Sequence, residues 1–71
     1  MNAKARIARK VAQVYGDNCP NVFKGYTFEG NGWHYQPFGR EPIFLGKSLD
    51  DARRMLREVE EYREEVRAGR A

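Results

Sequence analysis

The sequence predicts an α+β domain: a short N-terminal helix, a three-stranded antiparallel sheet, and a long C-terminal helix packed on one sheet face. Three observations predict it. Apolar residues between 3 and 15 recur at helical spacing, two alternating aromatic runs between 22 and 38 flank an Asn-Gly pair, and a capped helical stripe runs from Leu49 to about residue 68. With 71 residues the chain is a single domain, divided into a basic N-terminal helix or arm (1–16), a sheet (22–47) and a C-terminal helix (49–68).

In the first segment Ile7, Val11, Val14 and Tyr15 fall near one stripe, Asn2 suits the N-cap, and Gly16 suits the C-terminal stop. A helix this short is marginal in isolation, so it either docks through that stripe or frays until a partner arrives. Asp17-Asn18-Cys19-Pro20-Asn21 is a loop by composition.

Val22-Phe23-Lys24-Gly25-Tyr26-Thr27-Phe28-Glu29 and Trp33-His34-Tyr35-Gln36-Pro37-Phe38 alternate around Gly30-Asn31-Gly32. A two-residue turn at Gly30-Asn31 or at Asn31-Gly32 is expected, and either gives the same facing. Tyr26, Phe28, Trp33 and Tyr35 then share the core face, while Gly25, Thr27, His34 and Gln36 share the other. Phe23 and Phe38 fall at strand edges. A second turn, Gly39-Arg40-Glu41-Pro42, leads into Ile43-Phe44-Leu45-Gly46-Lys47, with Ile43 and Leu45 joining the core and Phe44 turned outward.

Ser48 is a good N-cap for the last helix, with Asp51 at the capping-box position and Asp50 also near the positive end of the dipole. Ala52, Met55, Leu56, Val59, Tyr62 and Val66 form its apolar stripe, and Arg54–Glu58 and Arg57–Glu61 are i, i+4 pairs. A helix of about 20 residues spans roughly 30 Å, which outruns strands of about 17 Å. Tyr62 and Val66 therefore need another partner, either the N-terminal helix or a second copy of the chain.

The net charge of +3 is unevenly placed: residues 1–16 carry Lys4, Arg6, Arg9 and Lys10 and no acid, the middle balances, and residues 49–71 are slightly acidic. A basic arm of this kind is an electrostatic footprint for phosphates. No run approaches the roughly 18 apolar residues of a membrane span, and the N-terminus lacks the apolar segment of a signal peptide. A cytoplasmic protein without membrane contact is the expectation. One cysteine (Cys19) and one histidine (His34) allow no intrachain disulfide and fall short of a structural zinc site, so no metal or other cofactor is expected. His34 has no nucleophile or carboxylate at dyad spacing, and Gly46-Lys47-Ser48 lacks the upstream glycine of a phosphate loop. The chain reads as non-catalytic.

The aromatic hairpin, then Ile43-Phe44-Leu45-Gly46-Lys47-Ser48-Leu49, then Asp50-Asp51-Ala52-Arg53-Arg54-Met55-Leu56, resembles the three-stranded-sheet DNA-binding domains over about residues 22–66. These include the plant ethylene-response type and the arm-site-binding domains of phage and transposon integrases. The resemblance implies a sheet lying in the DNA major groove, with Lys24 or Thr27, His34, Gln36 and Phe44 as contacts; Arg40 and Lys47 are expected at the rim of that polar face around Phe44. It also implies backbone or minor-groove contacts from an arm carrying Arg6, Arg9 and Lys10. The functional expectation is thus a small DNA-binding module, encoded by a phage or mobile element, that reads duplex DNA with its open sheet face. The alternative is a protein-interaction module, such as a small phage-type inhibitor or adaptor, acting through Tyr62 and Val66 or as a homodimer.

Overall fold

Asn2 starts the first helix, α1 (Ala3–Tyr15), by accepting the Ala5 N–H on its side-chain oxygen at 2.8 Å. Gly16 ends it in the left-handed conformation at φ 72°, where a side chain would be strained. Strands β1 (Asn21–Thr27), β2 (Gly30–Gln36) and β3 (Ile43–Gly46) follow, and then helix α2 (Leu49–Arg67). The computed structural model describes residues 2–69. The sheet is antiparallel in the order β1-β2-β3, and both helices pack on one of its faces. This is the α+β architecture expected from the sequence.

The hairpin turn differs from expectation. It falls at Phe28-Glu29, not within Gly30-Asn31-Gly32, so Thr27 pairs with Gly30, Gly25 with Gly32 and Val22 with Tyr35. The Thr27 hydroxyl oxygen accepts the Glu29 N–H at 3.3 Å, which supplies the turn with a side-chain partner. Because the pairing register shifts by an even number of residues from either expected turn, no side chain changes face. The strands slide past one another, however, and this corrects the expected core. Tyr26 is 83% exposed and Phe28, in the turn, is fully exposed, while Val22 takes the buried place opposite Tyr35.

The core joins every element: Ile7, Val11 and Val14 of α1, Val22 of β1, Tyr35 of β2, Leu45 of β3, and Ala52 and Leu56 of α2. Trp33, Ile43, Met55 and Val59 are half-buried against it. Leu45 is the extra residue of a bulge between β2 and β3, which turns it into the core between Phe44 (opposite His34) and Gly46 (opposite Trp33). Gly46 lets α2 begin directly against the sheet, since a Cβ there would lie 2.8 Å from the Ala52 backbone nitrogen. Ser48 caps α2 by accepting the Asp51 N–H at 3.2 Å. Arg54 pairs back to Asp51 at 3.6 Å, in place of the expected pair with Glu58.

The first helix docks. Its apolar stripe is buried, and Lys10 Nζ meets Glu60 Oε1 at 3.0 Å. The Arg63 guanidinium sits 4.8 Å from the centre of the Tyr15 ring, so α1 runs beside α2 in the same direction. The last turns of α2 have no neighbour on one side, and Tyr62 and Val66 remain 62% and 48% exposed.

Candidate nucleic-acid interface

The outer sheet face is built on glycines. Gly25 and Gly32 oppose each other, and a Cβ on Gly25 would lie 3.2 Å from the Phe23 ring. With no side chains standing there, Phe23 and His34 lean over that floor and stack with centroids 5.0 Å apart and planes 7° from parallel. Phe44 meets the imidazole edge-on at 5.3 Å and also rests near Gly30. His34 is completely buried as a result.

Its nitrogens are both engaged. The Gly32 carbonyl, 2.9 Å from Nδ1, can only accept, so Nδ1 carries a hydrogen. Nε2 lies 2.7 Å from Thr27 Oγ1, whose hydroxyl is free to donate because its oxygen accepts from Glu29. Among the described residues no buried side-chain polar atom lacks a partner. The outer face is a second small core, roofed by two phenylalanines around a satisfied histidine.

That arrangement removes most of the expected sheet contacts. His34 is on the expected face but is covered by Phe23 and Phe44, so it cannot touch a base. Lys24 is on the opposite face, 5.9 Å over the Trp33 ring, because it pairs with Trp33 across the hairpin. Thr27 uses its hydroxyl on His34, and the Gln36 amide donates to the Arg40 carbonyl at 3.2 Å. Phe44 points outward as expected but is half-buried as part of the roof. Arg40 and Lys47 are exposed, the first in the β2–β3 loop and the second just after β3. The face presents no cluster of base-reading groups.

A different surface gathers cations. Along α1 the apolar stripe faces the sheet, so Arg6, Arg9 and Gln13 project from the outer side of the helix layer. There they meet α2. Arg6, Arg9, Lys10, Gln13 and Arg53 line a shallow cleft of about 330 Å³ between the two helices, and among the described residues no carboxylate lines it. Arg53 also borders a neighbouring hollow with Arg54, Arg57 and Asp50, which extends the cationic surface along α2. The basic arm and the outer sheet face therefore lie on opposite sides of the molecule, and the two do not form one interface.

Sequence reasoning missed Arg53, Arg57 and Gln13. Arg53 and Arg57 are four residues apart on one side of α2, which was visible as periodicity. The neighbours of Arg53 on α1, among them Arg6, Arg9 and Gln13, follow only from the way the helices dock. It also missed the role of Phe23, whose signal was the Phe-x-Gly spacing opposite a histidine on the next strand.

Among the described residues no three His, Cys, Asp or Glu side chains gather as metal ligands, and no helix is long and apolar enough to cross a membrane. Set against family models, curated proteins and solved structures, the chain finds no match.

Proposed function

We propose that this chain is a small duplex-DNA-binding module that grips the phosphate backbone with its helix layer. One observation carries the reading: the docking of α1 on α2 assembles Arg6, Arg9, Lys10 and Arg53, from two distant stretches of chain, into a cleft without a carboxylate. Four cations converging on one cleft, with Glu60 paired to Lys10 beside it, leave a net local positive potential that releases counterions from a polyanion. Lys10 is half committed to Glu60, so Arg6, Arg9 and Arg53 are the principal phosphate ligands. Gln13 is the one neutral hydrogen-bonding side chain among them. Arginine forks suit phosphate oxygens in pairs.

This reading keeps the expected arm residues Arg6, Arg9 and Lys10 and replaces the sheet with α2 as their companion. A cleft with one amide has little with which to distinguish base edges, so the binding is backbone-led and tolerant of sequence. Titration of a labelled duplex of about 20 base pairs tests it. With three principal phosphate contacts, log affinity should fall against log salt with a slope of about −2 to −3. Arg9→Glu with Arg53→Glu should abolish the signal, and Lys47→Ala with Arg40→Ala should change it less than about twofold. No binding at low salt, or loss only in the Arg40 and Lys47 variant, would refute the helix-layer reading.

A further inference from the structure

The C-terminal half of α2 carries a second surface, unrelated to the cationic cleft. Met55, Val59, Tyr62 and Val66 follow one another at spacings of four, three and four, which is the seam of a coiled coil. Met55 and Val59 are only partly covered by the domain core, and Tyr62 and Val66 stand out beyond it. Together with Tyr15 these side chains line an open apolar groove of about 730 Å³.

We propose that the occupant of this groove is a second copy of the same chain, with the two α2 helices packed in parallel about a two-fold axis. Charge decides both the partner and the direction. At about 100° per residue, Glu58 and Arg63 flank the seam symmetrically, roughly 70° to either side, and both border the groove. They are five residues apart, the separation at which one parallel helix offers its acid to the base of the other. Two identical copies thus exchange Glu58 and Arg63 twice, and the seam pairs Val59 with Val59, Tyr62 with Tyr62 and Val66 with Val66. The antiparallel alternative sets Glu58 against Glu65 of the other copy at both ends, a repulsion with no compensating base. The helices are already formed by the domain, so a seam too short to fold alone suffices for association.

The seam lies about 150° around α2 from Arg53, so pairing leaves each copy's cationic cleft exposed. The proposal stands on other side chains than the DNA reading and is tested without DNA. Sedimentation equilibrium between about 5 μM and 500 μM should show a reversible dimer. Tyr62→Ala with Val66→Ala should raise its dissociation constant about 30-fold or more. Urea unfolding of the monomer at low concentration should stay unchanged, since both residues are exposed. Glu58→Arg should weaken the dimer about 5- to 10-fold, and adding Arg63→Glu should restore it. In a Cys19→Ser background, Val66→Cys should form an interchain disulfide on mild oxidation, because parallel pairing brings the two residues 66 together. A chain that stays monomeric throughout, or a dimer indifferent to Tyr62 and Val66, overturns the proposal. A dimer that does not crosslink through residue 66 overturns the parallel arrangement.

Discussion

The two faces of the sheet are both packed, but by different means. On the helix side, aliphatic side chains from four elements and Tyr35 of β2 bury one another, with Ile7, Val11, Leu56 and Ala52 at 0% exposure. On the outer side there is no covering layer. Burial there is achieved within the sheet itself, by bare glycines that let Phe23 and Phe44 fold down over His34. The first core is cooperative with the whole chain, whereas the second depends on three side chains and a floor. A substitution in the first should propagate through the fold, and one in the second should be felt mainly within the β-hairpin and β3.

The largest contrast is expected from Leu56→Ala. Truncating a fully buried leucine typically costs about 2–5 kcal/mol, a large part of the roughly 4–10 kcal/mol available to a domain of this size. Urea denaturation followed by circular dichroism should show the midpoint fall sharply, or no folded baseline at all. His34→Ala should come next, at about 2–3 kcal/mol, because it removes the stacked ring and strands the Thr27 hydroxyl and the Gly32 carbonyl. If His34→Ala proves as costly as Leu56→Ala, the outer face is part of the main core and the distinction fails. Phe44→Ala should cost less, roughly 1–2 kcal/mol, since the ring is already half in water.

A smaller effect separates the faces by pH. The Tyr35 phenol is held above its ordinary 10.0 by burial, and by the Asp17 carboxylate that its hydroxyl donates to at 2.9 Å. The folded protein therefore keeps this proton longer than the unfolded chain does. Its contribution is complete below pH 10.0, and is lost as the pH rises from there through the higher folded value. Tyr35→Phe should lower neutral-pH stability by about 1 kcal/mol through the lost hydrogen bond. It should also flatten the alkaline decline relative to the parent chain. An unchanged alkaline limb would place the sensitivity elsewhere.

The elements were legible because their signals are local. Asn2 and Gly16 bracket α1, Ser48 and Asp51 start α2, and Ile43-Phe44-Leu45 alternates as a strand should, so helix ends and side-chain facing followed from short stretches of sequence. The hairpin register was not legible, because Asn31-Gly32 carries a strong turn preference that the fold overrides. Placing Gly25 against Gly32 makes the floor for the aromatic roof and sets Phe23 opposite His34, where the two rings stack, a gain spread over both strands and β3. For the same reason the candidate interface was only half readable. Arg6 and Arg9 announce themselves as an acid-free run, but Arg53 becomes their neighbour only through helix docking.

The smallest expected effect tests that register most directly. In the observed pairing Phe28 is a turn residue wholly in solvent, so Phe28→Ala should change the urea midpoint by less than about 0.5 kcal/mol in equivalent stability. With the turn at Asn31-Gly32, the same ring would sit under the helices opposite Tyr35, and its truncation would cost about 3–5 kcal/mol. The two pairings thus differ at this one position by about 3–5 kcal/mol, a large part of the stability of the domain. Val22→Ala provides the reciprocal measurement. Val22 is 1% exposed opposite Tyr35, and its truncation should cost about 1–3 kcal/mol only if the strands have slid to the observed register. A neutral Phe28 together with a sensitive Val22 fixes the hairpin, and with it the glycine floor on which the outer face depends.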